Sequence, residues 1–216
     1  MAKTRIVCIL ALFGVALGCV HIALSLYSGS AVQWIHYLVQ GNPAAPMSDR
    51  RWKSRTRGLL LECLDEVHGA CEHLEDHRAA VNLNDKVHHA LNLRTASLAL
   101  TFLGPIMALT AYIVGIVLFI TFRKKAHRRQ LVLFIVGLIG WIAALASYFG
   151  VITFLEGKKQ ESYVDEQSIT TFRGSWDTML KDSTVEEFGH VFHLAITASA
   201  FGHVGSFFVM AASLWI

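Results

Sequence analysis

Charged side chains are scarce in this sequence. Asp, Glu, Lys and Arg make up 16% of the 216 residues, where a soluble domain averages about 25%. The charges nearly cancel, with 19 basic against 16 acidic residues. A disordered chain or a nucleic-acid binder needs a marked excess of charge, so both classes are disfavoured. The apolar content of 54% and a mean hydropathy of +0.46 argue against an ordinary soluble enzyme.

The sequence motifs of common enzymes are also absent. There is no CxxC, HExxH, GxSxG or P-loop pattern. A pore or proton relay normally needs ionisable groups within the membrane, and the long apolar stretches carry no Asp, Glu, Lys or Arg. We therefore expect no catalytic activity and no cofactor. A membrane enzyme or redox protein and a transporter are therefore less favoured than a protein that recognises a partner.

Four long stretches lack all four charged residue types: 6–48, 95–122, 130–155 and 188–216. Each exceeds the roughly 20 residues that a helix needs to cross a bilayer. Ser28-Gly29-Ser30 interrupts the first stretch. These stretches predict membrane spans at about 6–27, 96–122, 131–155 and 188–216. The alternative for the first is a signal peptide, although its apolar run is longer than a signal-peptide core.

The polar connections between the stretches differ in charge. The connection 123–130 holds five basic residues and no acid, and the N-terminus carries Lys3 and Arg5. The positive-inside rule places these segments in the cytoplasm. The loops 28–95 and 156–187 then lie outside the plasma membrane, and both termini are cytoplasmic. The end at Trp215-Ile216, without a basic tail, favours a tail that is cut or very short.

Of the four cysteines, Cys8 and Cys19 fall within the first span and Cys63 and Cys71 in the first outer loop. An outer loop faces an oxidising compartment, which favours a Cys63–Cys71 disulfide. Two free thiols are an alternative. A zinc site is another, since His68, His73 and His77 lie nearby, but their spacing matches common zinc patterns poorly.

The first loop contains, in order, Trp34, the Gly58-Leu59-Leu60 run and the two cysteines, and Arg94 follows at the start of the second span. This order of features resembles that of the claudin superfamily. Leu60 stands where the family motif has Trp. The resemblance implies a mainly α membrane protein over 1–216. Its expected fold is a four-transmembrane-helix bundle with a small disulfide-stapled, β-containing extracellular domain.

The resemblance also implies a function. One branch of the family contains calcium-channel gamma subunits and stargazin-like receptor regulators. Membership of that branch implies an auxiliary subunit that modulates the gating or trafficking of an ion channel or ionotropic glutamate receptor. Its partners would be integral membrane proteins in the bilayer, in a synaptic setting. The junctional branch implies cell–cell adhesion or a paracellular barrier made by homotypic contacts.

Small residues recur at helical spacing in the first and fourth predicted spans. They are Gly14 and Gly18 in the first span, and Ala195, Ala198, Ser199, Gly202 and Ser206 in the fourth. Such stripes let helix backbones approach closely. They predict packing within the bundle or docking onto a partner's helices. Pro105 is expected to kink the second span.

The predicted spans contain histidines but no Asp, Glu, Lys or Arg. His21 lies in the first, and His190, His193 and His203 lie in the fourth. Their helical angles give no facing pair for haem, so we expect neutral, hydrogen-bonded side chains and no metal. At the membrane entry, the long side chain of Arg94 is expected to extend to the lipid headgroups.

Overall fold

The computed structural model describes residues 2–39, 54–64, 71–73, 85–163 and 184–216 of the chain. Most of these residues are helical. The helices are α1 (Ala2–Ser30), α2 (Asp85–Thr121), α3 (Ala126–Tyr163) and α4 (His190–Ser213). All four are long and apolar enough to cross a membrane. By the length and composition of these helices, the prediction of a four-span, multi-pass membrane protein is confirmed.

The helices differ from the predicted spans at their ends. α2 and α3 have 37 and 38 residues, because the polar residues that border each apolar run continue the helix. Pro105 lies inside α2 and is fully buried, where neighbouring helices can compensate for its missing N–H group. Phe188, assigned to the fourth span from the sequence, instead ends a strand.

Five short strands form one antiparallel sheet. They are β1 (Ile35–Val39), β2 (Arg55–Arg57), β3 (Leu61–Leu64), β4 (Cys71–His73) and β5 (Thr184–Phe188), in the spatial order β4-β3-β2-β1-β5. β5 comes from the second predicted outer loop and pairs with β1 over five residues, from Ile35 opposite Phe188 to Val39 opposite Thr184. Both predicted outer loops therefore contribute to one sheet.

The chain divides into two compact units. The bundle unit comprises Met1–Tyr27, Ala99–Gly150 and Leu194–Ile216, and the sheet unit comprises Ser28–Leu98 and Val151–His193. A buried apolar core fills the bundle unit, with Val7, Ala108, Tyr112, Val136 and Val209 among its members. Large apolar side chains on the other faces of its helices are exposed, as expected of surfaces that meet lipid.

α1 and α4 approach each other closely through glycines. A Cβ atom on Gly14 would lie 2.6 Å from the Gly205 carbonyl oxygen and 2.9 Å from the Val209 amide nitrogen. A Cβ atom on Gly18 would overlap the Tyr112 hydroxyl group of α2. The close neighbours of Gly14 include backbone atoms, which cannot move aside as a flexible side chain can. The Gly14/Gly18 stripe is therefore used inside the bundle.

The second stripe is also internal. All five of its members are buried: Ala195, Ala198, Ser199, Gly202 and Ser206. A Cβ atom on Gly202 would lie 2.7 Å from the Ala144 methyl group of α3. These positions pack the bundle and are unavailable to the helices of a partner.

Replacing Gly14 by Ala is expected to destabilise the bundle by about 1–3 kcal/mol, because the added methyl group meets backbone atoms of α4. Thermal unfolding in detergent micelles measures the effect. Ala16, which is exposed on the same helix, provides the control. Ala16→Leu adds more atoms and should leave the midpoint unchanged. Equal midpoints for both variants would contradict the packing account.

Candidate functional site

Trp34 lies at the centre of the sheet unit and is fully buried. Its indole Nε1–H donates a hydrogen bond to the Ser28 carbonyl oxygen at 2.7 Å. Its backbone N–H donates to the Arg57 carbonyl oxygen at 3.0 Å, and its carbonyl oxygen accepts from the Gly189 N–H at 2.9 Å. A buried Trp needs its polar groups paired. Trp34 meets this need while connecting the end of α1, strand β2 and the start of α4.

Aromatic rings enclose Trp34. The Phe154 ring of α3 lies 4.6 Å from it between centroids, and the Phe192 ring of α4 lies 6.2 Å away. Phe188, at the end of β5, stacks on Phe192 at 4.3 Å with an interplanar angle of 20°. Offset and edge-on ring pairs of this kind stabilise by roughly 0.5–1.5 kcal/mol beyond their buried area. The rings therefore fix β5 and the helix ends around one indole.

Two glycines allow the backbone to close around Trp34. A Cβ atom on Gly58 would lie 2.5 Å from the Ala31 carbonyl oxygen and 2.8 Å from the Val32 Cα atom. A Cβ atom on Gly189 would overlap the Gln33 carbonyl oxygen. Only glycine fits at either position without moving the backbone of residues 31–33. Leu59, next to Gly58, is buried as well, while Leu60 is half-buried.

Arg94 joins the same cluster. Its side chain is only 3% exposed, and its Nη1 donates a hydrogen bond to the Gly58 carbonyl oxygen at 3.4 Å. The guanidinium carbon lies 6.0 Å from the Phe154 ring centroid. The expectation that this side chain extends to the lipid headgroups is wrong. A buried carbonyl oxygen and an aromatic face attract the cation into the protein.

Two further arginines, which were not singled out as buried from the sequence, lie in the sheet unit. Arg55 and Arg57 of β2 are both fully buried, while Thr56 between them is half-buried. The guanidinium carbon of Arg57 lies 5.2 Å from the Tyr37 ring centroid. The alternation in the Arg-Thr-Arg sequence was the available signal, because successive residues of a strand face opposite sides of the sheet.

The predicted disulfide is present. Cys63 of β3 and Cys71 of β4 are bonded, and they face each other in the strand register. Bonded cysteines are not thiolate ligands, which removes both from the zinc alternative. His68 and His77 lie outside the described residues. His73 is the last residue of β4, and α2 begins at Asp85.

The histidines of the bundle unit bond to the helix backbone. His21 is fully buried, with Nδ1 2.9 Å from the Ala198 carbonyl oxygen. Since a carbonyl accepts only, Nδ1 carries the proton and donates. His203 Nδ1 lies 2.8 Å from the Ser199 carbonyl oxygen, and its ring packs edge-on against Trp141. In the part of the chain that the structure describes, no three His, Cys, Asp or Glu side chains cluster as metal ligands would.

Trp34, Gly58, Leu59 and Arg94, separated by up to 60 positions in the chain, thus meet in one buried cluster of the sheet unit. No family model matches the chain, and neither does any curated protein. The cluster and the sheet it holds are therefore judged on their own geometry. The arrangement positions a sheet rigidly and offers no reacting groups of its own.

Substitutions of Trp34 should be graded. Trp34→Ala removes the ring and is expected to cost about 3–5 kcal/mol. Trp34→Phe keeps an aromatic ring but removes the hydrogen bond to the Ser28 carbonyl oxygen, at about 1–3 kcal/mol. Thermal unfolding in micelles gives the order. Trp215→Ala is the control, because Trp215 is 47% exposed. A control effect as large as that of Trp34→Ala would contradict the central role of Trp34.

The disulfide makes a separate prediction about labelling. Alkylation of the denatured, unreduced protein should label Cys8 and Cys19, which are free and exposed on α1, and leave Cys63 and Cys71 unlabelled. Peptide mapping by mass spectrometry identifies the labelled residues. Detection of alkylated Cys63 in unreduced protein would reject the bond.

Proposed function

We propose that this chain is a claudin-like multi-pass protein of the plasma membrane, with both termini in the cytoplasm. We further propose that it acts as an auxiliary subunit of an ion channel or ionotropic glutamate receptor. One observation carries the proposal: Trp34, Gly58 and Arg94 meet in a buried cluster beside a disulfide-stapled antiparallel sheet. These are the residues on which the resemblance to the claudin superfamily rests.

The sheet supports a role in recognition. Its register places His36 opposite both Thr56 and Glu187, so the three residues share one face. Glu187 is exposed, and His36 and Thr56 are half-buried. On the other face, Ile35, Tyr37 and the two arginines of β2 are buried. One face is therefore used for packing, and the other presents polar groups and the neighbouring disulfide to a partner.

The bundle supports a partner in the membrane. Three polar side chains buried in it bond to helix carbonyls: His21 to Ala198, Ser199 to Ala144, and Ser147 to Ala143. Such bonds serve helix packing. Outside the core, α2 exposes Ile113, Val117 and Ile120 by more than half. This apolar surface meets lipid or the transmembrane helices of a partner.

The mechanism follows from binding to two sites on one partner. A subunit that contacts both the helices and the outer part of a channel shifts its gating if it binds one state better than another. The size of the shift is set by that difference in affinity alone. The rigid cluster around Trp34 favours such an effect, because a fixed sheet loses little conformational entropy on binding.

Photocrosslinking tests the proposed partner. A photoreactive amino acid is placed at Val117 on the apolar surface or at Glu187 on the sheet, and at Leu133 as the buried control. Mass spectrometry after illumination of intact cells should identify a channel or receptor subunit at Val117 and Glu187, and none at Leu133.

The junctional alternative gives a different result in the same experiment. Adducts at Glu187 that contain only second copies of this chain, together with new contacts between non-adherent cells that express it, would reject the auxiliary-subunit proposal. An N-terminal tag accessible to antibody on intact cells would reject the proposed orientation.

A further inference from the structure

We propose that the turn between α2 and α3, together with the apolar groove next to it, binds one molecule of an acidic phospholipid. This inference concerns the bundle unit alone and goes beyond the auxiliary-subunit proposal. It rests on a cluster of cations, on the way two of them are held, and on a groove that begins beside them.

The charge of the turn is of one sign. Arg123, Lys124, Lys125, Arg128 and Arg129 lie within seven residues, and the nearest acids in the sequence are Asp85 and Glu156. Each acid is more than 25 residues of helix away, or roughly 40 Å at 1.5 Å per residue. Neither acid can neutralise the turn. A basic cluster at the end of a membrane helix attracts anionic lipid by about 1 kcal/mol for each cation.

Two of the cations are held on aromatic rings. The guanidinium carbon of Arg129 lies 4.1 Å from the Phe119 ring centroid, and that of Arg128 lies 5.3 Å from the Phe122 ring centroid. A stacked guanidinium group keeps its N–H edges free to donate. The Nε of Arg129 is buried and has no hydrogen-bond partner within the described residues. Ordered guanidinium groups bind phosphate oxygens in a bidentate manner.

The turn has its own concave surface. A pocket there is lined by the six consecutive residues from Ile120 to Lys125. α3 begins at Ala126 directly after it, with no acidic residue in its first turn. The positive end of the helix dipole therefore points toward the same place and favours an anion.

An apolar groove between α2 and α3 lies close to this pocket along α2. Its lining includes Ile106, Val114 and Leu118 from α2 and Val132 and Ile135 from α3, and its volume is about 440 Å³. This is within the range of pockets that bind small molecules, about 300–1,000 Å³. Leu118 lines the groove and Phe122 lines the pocket. The Phe122 N–H donates to the Leu118 carbonyl oxygen at 2.9 Å, so the two residues are one helical turn apart on the same face.

The closeness of the two surfaces along α2 selects the ligand. A phosphate group fits the cations, and an acyl chain fits the apolar lining. A single phospholipid carries both at this spacing. In the proposed orientation the turn faces the cytoplasmic leaflet, where anionic lipids are concentrated. A free phosphate ion would leave the groove empty, and an acidic protein segment would not bury its lining.

Native mass spectrometry of the full chain, titrated with phosphatidylserine or phosphatidylcholine, tests the proposal. Phosphatidylserine should bind more tightly. Arg128→Gln together with Arg129→Gln should weaken its binding roughly fivefold for each charge removed and weaken phosphatidylcholine binding less, because that lipid has a phosphate group but no net charge. Lys158→Gln with Lys159→Gln is the matched control, because it removes the same charge at the opposite end of α3.

A second pair of variants tests the groove. Val114→Trp fills it, whereas Val117→Trp adds the same ring at an exposed position that does not line it. Only Val114→Trp should weaken phosphatidylserine binding. Equal affinity of the native chain for both lipids, equal losses in either matched pair, or displacement of phosphatidylserine by inorganic phosphate would overturn the proposal. Crosslinking to a channel tests the proposed function separately and does not depend on this result.

Discussion

The burial of Trp34 is the constraint on which the rest of the sheet unit depends. Its ring cannot be buried unless Phe154 and Phe192 surround it, and its polar groups cannot be buried unless the Ser28 and Arg57 carbonyls and the Gly189 N–H are in place. Each partner comes from a different part of the chain. Pairing one indole therefore determines where α1 ends, where β2 lies and where α4 begins.

The glycine at position 58 shows how tightly that constraint acts. Gly58 lies so close to Ala31 that a side chain on it would displace the backbone. This close approach places the Gly58 carbonyl oxygen within hydrogen-bonding distance of Arg94. Burying a guanidinium group is costly unless it is paired. The carbonyl oxygen and the Phe154 ring together provide that pairing.

Much of this architecture could be predicted from the sequence, and the limits of prediction have physical reasons. Four uncharged stretches indicated four helices, because a charge within a bilayer is expensive wherever it occurs. The Cys63–Cys71 bond followed from the compartment. The burial of Arg55, Arg57 and Arg94 did not follow, because composition cannot distinguish a solvated cation from one held on a ring. The helix ends were also missed, since charged residues such as Lys158 propagate a helix as well as apolar ones.

The distribution of polar groups in the chain follows from the same high cost of placing a charge within a bilayer. In the bundle unit, His21 and Ser199 form hydrogen bonds with the carbonyls of neighbouring helices. The small residues of the glycine and alanine stripes allow the helices to pack closely. Among the described residues, the outside of the bundle is mostly apolar, and the turn after α2 contains five cations. In the sheet unit, the face that carries His36, Thr56 and Glu187 keeps its polar groups outside the Trp34 cluster. In each unit, the exposed polar groups are thus different from the buried ones that hold the unit together.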